Sequence, residues 1–457
     1  MIGLRSALLV VALVVLYSPC WATDHYVRDG GTCVSSCQDW TNAFDQLSSA
    51  ETAAARGDKI YVADGTYTST TFNTAVSGTT LITICKATVA TVGSCGTAHG
   101  TETGWLDSYG DGQAIFSSTS ASMTFSSNYW VLDGVVGDGS TSSNGGNSAT
   151  YGFLLQQTFR SGVSYDGITT NGSNSTFKHI AVECAGEQDD TSGEQAFDGS
   201  GNSLTFSYTF TKDCTIAHRQ QGTDHTVEYS WMDVHWGTPA HHDVQLMSNT
   251  RPIYRYNYFV TCGSQCIEPA GGCTSNMING QIYGNVIAEI TGTNGFTKGV
   301  CSAAIIDTVF YNNTMANSAG PLLYQSNNGT GSGNIVKNNL IYNSPSGCCT
   351  TTGGGAIDNQ YNAYFDSGTK SETGVQNGSG NPFVSSATGN FRLLSATNAG
   401  VTLSTPYNVD LVGVTRGNDG SWDRGAYEFC VSGCGSSGSN PTGGVKMAPM
   451  INLRRGS

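Results

Sequence analysis

Apolar residues along this chain recur in columns rather than along one continuous amphipathic face. Four asparagines, Asn257, Asn285, Asn313 and Asn339, stand 28, 28 and 26 residues apart. Three positions before them lie Tyr254, Ile282, Phe310 and Val336; two positions after lie Phe259, Ile287, Met315 and Ile341. The column between, Arg255, Tyr283, Tyr311 and Lys337, suits an outward face. Alternation with period two predicts strands. Repetition every 25 residues or so, with polar turns, predicts a solenoid in which each unit completes the core of its neighbours. An amide at a tight bend can bond the same amide one coil above and below, so the asparagine column predicts a ladder. The register extends back to Ser230, flanked by Val227 and Met232, and touches Asp166 and Asp133.

The ends of the chain read differently. Trp40, Ala43, Phe44, Leu47 and Ala50 share one helical face. Gly57 stops that helix, and residues 58–63 then alternate as a strand ahead of an Asp64-Gly65 turn. A helix there would cover the open end of a sheet stack. From Gly374 the columns give way to Asn381-Pro382-Phe383, Phe391-Arg392-Leu393, Asp410-Leu411 and Gly425-Ala426-Tyr427-Glu428, a closing module. The expected organisation is a signal peptide at 1–22 and a solenoid at 23–429. Within the solenoid, 23–70 forms an N-terminal cap and first coil and 374–429 a C-terminal cap; a Gly/Ser-rich linker and tail follow at 430–457.

Composition narrows the function. Arg5, the apolar run Ala7–Leu16 and small residues around 20–22 form a cleavable export signal, so the protein is expected to be secreted, extracellular or periplasmic. No later run reaches the ~20 apolar residues of a membrane span. Cys20 leaves with the leader, and an even set of cysteines remains for an oxidising compartment. Cys33/Cys37, Cys262/Cys266 and Cys430/Cys434 share a spacing that favours disulfides over zinc, and Cys348-Cys349 implies a non-local bridge. Charged residues make up only 12% of the chain, with 59 Gly and 21 Tyr. A net charge of −14 argues against nucleic acid, and an acidic polysaccharide would need a cation or a local Arg patch. A monomer is expected.

With those features in place, Gly57-Asp58-Lys59-Ile60-Tyr61-Val62 and Gly65-x-Tyr67 resemble the first coil of the pectate-lyase-like superfamily. The closing motifs resemble its C-terminal cap, and residues 228–232 and 255–259 resemble its repeats. The resemblance covers most of residues 24–429 and implies an all-β, right-handed parallel β-helix with an N-terminal capping helix and a C-terminal cap. It leaves activity open, because lyases, hydrolases, epimerases and adhesins share that fold. Of the polygalacturonase-like motifs only Asp189-Asp190 is present. Arg251-Pro252-Ile253-Tyr254-Arg255 is one residue short of the pectate-lyase pattern, which turns one arginine to the other strand face.

Candidate chemistry concentrates at 218–268. Five of eight histidines, His218, His225, His235, His241 and His242, fall between 218 and 242. His242, Asp243, His218, Arg219, Glu268 and Arg255 are the expected catalytic set. A base beside an acidic sugar and an arginine on its carboxylate would serve a lyase, and a carboxyl pair such as Asp243 and Glu268 would serve a hydrolase. Glu228 and Arg255 should touch one coil apart as an ion pair. His241, Trp236, Tyr283 and Tyr311 are expected to bind sugar, and Asp189 with Asp190 to hold calcium if any cofactor is used. The function expected is a secreted polysaccharide lyase or glycoside hydrolase with a surface groove; the alternative is a non-catalytic, adhesive glycan-binding β-helix.

Overall fold

The computed structural model describes residues 22–89, 95, 98–141, 147–158, 163–185, 193–234, 246–263, 266–269, 276–290, 295–298, 303–325, 331–352 and 355–430. They form a right-handed parallel β-helix of three long sheets. Sheet 1 has twelve strands, from Asp24–Val27 to Asp358–Gln360; sheet 2 has twelve, from Gly65–Tyr67 to Gln376–Gly378; sheet 3 has eight, from Thr70–Phe72 to Ile305–Ile306. Every strand in them pairs in parallel with its counterpart one coil away. Right-twisted strands joined by crossovers pack this way only in the right-handed sense. At ~4.8 Å per coil the stack is roughly 50 Å long.

The two apolar columns seen in the sequence are the interior. Tyr254, Ile282, Phe310 and Val336 pair in register in sheet 1, and Phe259, Ile287, Met315 and Ile341 in sheet 2, all fully buried. The asparagine ladder stands at the corner between these sheets. Asn257 Nδ2 donates to Asn285 Oδ1 at 3.0 Å, Asn285 to Asn313 at 3.0 Å and Asn313 to Asn339 at 3.0 Å. Each Oδ1 also accepts the backbone N–H of the previous rung. The column continues to Asn362, where Glu372 Oε1 accepts both donors and ends it. A buried amide is stable only when its donors and acceptor are paired, and the repeat pairs them by translation.

Upstream the sequence register slips. Ser230 is a rung, and Thr209 precedes it. Asp166 instead lies in sheet 3 and Asp133 ends a sheet 1 strand, where its carboxylate holds His179. The cause is unequal coil length: Ser207 pairs with Glu228 after 21 residues, whereas Arg255 pairs with Tyr283 after 28.

The N-terminal helix is shorter than expected, Leu47–Ala53. Leu47 and Ala50 enter the main core. Phe44 is extended instead and exchanges backbone hydrogen bonds with Tyr26 and Arg28, beside strand Asp24–Val27. Trp40 joins a separate cluster and donates to Glu102 at 2.6 Å.

At the other end, Phe383–Ser385 and Asn390–Leu393 pair antiparallel. The chain then runs back along the outside of the stack. Arg424 donates to Asn362 O, Gly425 N to Asn338 O and Ala426 N to Thr314 Oγ1, and Tyr427 reaches the Tyr258 hydroxyl at 2.6 Å. The closing module thus covers the corner between sheets 1 and 2.

Disulfides join Cys33–Cys37, Cys85–Cys95, Cys184–Cys214, Cys262–Cys266 and Cys348–Cys349. The non-local bridge expected of Cys348 and Cys349 is not formed; the adjacent pair bonds to itself. Cys184–Cys214 instead ties two successive coils, with Cα atoms 4.8 Å apart, close to the coil spacing. Among the described residues no helix is long and apolar enough to cross a membrane.

Candidate functional site

The outer face of sheet 3 collects the most reactive described groups. Strands Tyr165–Thr170, Glu194–Gly199 and Ile216–Thr223 lie side by side. Alternation sends Ile168, Phe197 and His218 inward and leaves Asp198 and Arg219 outside. Only 21 residues separate these two, so no insertion intervenes and their strands pair directly. Arg219 Nε donates to Asp198 Oδ1 at 2.7 Å. This bond is the chief cause of the upward shift of the Arg219 guanidinium, which stays cationic at any working pH.

Asp166 stands close enough to feel both groups. Burial pushes its carboxyl up to about 6; Asp198 adds to the shift and Arg219 opposes it. Its Oδ1 is buried without a hydrogen-bond partner among the described residues. A carboxyl that changes charge near neutrality, beside a fixed carboxylate–guanidinium pair, can carry a proton while the arginine holds an anion. A second carboxyl, Asp233, lies at the end of sheet 2 and is pushed to about 7 by burial, with Asp213 and Glu289 adding to the shift and Lys212 opposing it.

The expected site residues do not converge on one place. His218 belongs to the interior. It is fully buried, stacks on Phe197 with centroids 4.6 Å apart, and burial beside His225 lowers its pKa to about 3. A strand position two residues from an inward one is itself inward, which removes His218 from any outer groove. Arg255 is on sheet 1, a different face from Arg219. It donates to Glu228 at 2.7 Å and to the Tyr283 hydroxyl at 3.1 Å, so the ion pair expected there is formed.

Tyr283 and Tyr311 are not an open sugar platform. They are 1% and 9% exposed because Tyr407 of the closing segment stands edge-on to both at 4.9 Å. Glu268 is buried one residue beyond Ile267, which bridges to Thr297 of a short fourth sheet. Trp236, His241, His242 and Asp243 lie outside the described residues, as do Asp189 and Asp190, on which the calcium expectation rests. Among the described residues no group of three or more His, Cys, Asp and Glu side chains could hold a metal.

Sequence reasoning found Arg219 but missed Asp166, Asp198 and Asp233 as reactive groups. Sheet 3 has no repeated marker residue like the asparagine of the neighbouring corner. The pairing of 198 with 219 follows only from the observed register.

These stacked parallel sheets define a β-helix protein with the pectate-lyase-like fold. No protein-family model matches the chain, and no curated protein matches it. Solved structures resemble it at low identity. Pectate lyase Pel9A is 14% identical, with 89% of this chain and 96% of that one covered at a TM-score of 0.46. A rhamnogalacturonan lyase is 13% identical over 74% and 84% at 0.44. The surface protein and adhesin PfbA of Streptococcus pneumoniae is 11% identical over 73% and 93% at 0.25. Likeness at this level concerns the fold.

Proposed function

We propose that this is an exported enzyme that cleaves glycosidic bonds of an acidic polysaccharide on the outer face of sheet 3. One observation carries the reading: Asp166, Asp198 and Arg219 lie together there, with a carboxyl poised near neutrality beside a guanidinium. In a chain of net charge −14, Arg219 supplies the local cation that an acidic sugar requires. Asp166 transfers the proton. The segment holding His241, His242 and Asp243 leaves sheet 2 at Val234 and rejoins sheet 3 at Leu246, which pairs with Gln220, the neighbour of Arg219. His242 and Asp243 are therefore proposed to complete the site, with Trp236 and His241 on the sugar. The disulfides fit an oxidising compartment, in keeping with export.

The test is incubation of the mature protein with a panel of uronate-containing polysaccharides. Ultraviolet absorbance of unsaturated ends marks elimination, and new reducing ends without it mark hydrolysis. Asp166→Asn should abolish either, and the wild-type pH–rate profile should inflect near pH 6. Binding without any product would replace the enzyme by a glycan-binding protein, and full activity in Asp166→Asn would refute the site.

A further inference from the structure

A second recess lies far from sheet 3, at the corner between sheets 1 and 2 in the first coils. It is a cavity of about 380 Å³, within the usual range for small-ligand sites. Its lining includes Thr88, Val89, Asp111, Val136, Thr150 and Tyr151. Val89 and Val136 are 49% and 41% exposed, unusually open for valines on a protein this polar. Trp105 closes one side: its ring lies so near Gly110 that a side chain at 110 would come within 2.9 Å of it.

The walls are fixed from behind. Buried Lys86 donates from Nζ to Ala87 O at 2.7 Å and Tyr109 O at 3.2 Å, and it pairs with Asp64. Asp64 in turn accepts the Gly112 backbone N–H. The 109–112 loop is thereby tied to the stack, so the recess exists before any ligand arrives, and its binding costs little ordering. The Lys86 and Asp64 charges offset each other. Asp111 is left as the exposed charge of the cavity, and it repels anions.

We infer that this recess is a binding site for an uncharged sugar unit, separate from the cleavage face. A neutral pyranose offers an apolar C–H face, which suits Val89, Val136 and the Trp105 ring. Its edge of hydroxyls suits the Asp111 carboxylate and the Thr88 and Thr150 hydroxyls. A uronate would be turned away by Asp111. The identification of the ligand as carbohydrate rests on the proposed function; the recess and its charge do not.

Titration calorimetry of the mature protein with neutral hexose oligosaccharides and with uronate oligomers tests it. Neutral oligosaccharides should bind, and uronate oligomers should be indifferent to changes in the recess. Val136→Arg, which fills the cavity from an exposed position, and Asp111→Ala, which removes the hydroxyl acceptor, should each weaken neutral binding at least about tenfold. Cleavage at the sheet 3 face should be unchanged in both. No binding of neutral oligosaccharide, or undiminished binding in both variants, would overturn the inference. Loss of neutral binding in Arg219→Ala instead would move the ligand to the other face. Inactivity of the sheet 3 face on every polysaccharide would leave the calorimetric outcome equally decisive.

Discussion

Replacing His218 by leucine should make the protein more resistant to acid without touching its activity. The side chain occupies the column Met123, Ile168, Phe197, His218, whose other members are apolar. Neither ring nitrogen has a hydrogen-bond partner among the described residues, and burial lowers the pKa from 6.5 to about 3. The folded protein therefore excludes a proton that the unfolded chain accepts. A base with a depressed folded pKa contributes stability above its unfolded value that is lost as pH falls through the interval between the two. Between pH 7 and pH 4 the interval spans about 2.5 units, or about 3 kcal/mol at 1.36 kcal/mol per unit. Urea unfolding at both pH values measures this directly. The wild type should lose about 3 kcal/mol more than His218→Leu on acidification, since the other carboxyls and His225 contribute equally to both. At pH 7 the variant should be no less stable, because it removes two unpaired polar atoms from the core. Equal losses in the two proteins would refute the buried neutral imidazole, and loss of polysaccharide cleavage would return His218 to the site.

Two further perturbations probe the scaffold. Asn285→Ala removes the acceptor for the Asn257 N–H and Nδ2 and the donor to Asn313, leaving a buried backbone N–H unpaired. It should cost about 2–4 kcal/mol in denaturant unfolding, from one to three for each stranded group, whereas Asn343→Ala on the exposed side should cost little. Arg416→Met leaves Glu428 and the carbonyls of Asp423 and Gly425 without their buried guanidinium. It should destabilise by about 3–5 kcal/mol and open the closing segment to protease, exposing Tyr283 and Tyr311.

What the sequence could convey follows from where the fold repeats. The asparagine ladder was legible because each rung sits at the same point of a coil and is flanked by inward apolar residues on both sides, Tyr254 and Phe259 for Asn257. Spacing alone failed where length varied. The 21-residue coils shift Asp133 and Asp166 out of the register that Asn257 defines. At the N-terminus, Trp40 and Phe44 keep helical spacing yet lie outside the helix, because Phe44 gains more from backbone pairing beside the first strand. The closing module was visible as a change of pattern. That it doubles back over Tyr283 and Tyr311 was not, since burial there comes from residues more than a hundred positions away. The histidine cluster pointed to the right coils, but composition cannot say which face of a strand a residue takes. His218 and Arg219 are neighbours in sequence and lie on opposite sides of the sheet.

The most direct test is to map where an uncleaved acidic oligosaccharide touches the protein. Hydrogen exchange of the Asp166→Asn variant, with and without a saturating uronate oligomer, reads this strand by strand. Protection should appear at Tyr165–Thr170, Glu194–Gly199 and Ile216–Thr223. Protection confined to the Arg255 face of sheet 1, or no change anywhere, would contradict the assignment of sheet 3 as the face that acts on polysaccharide.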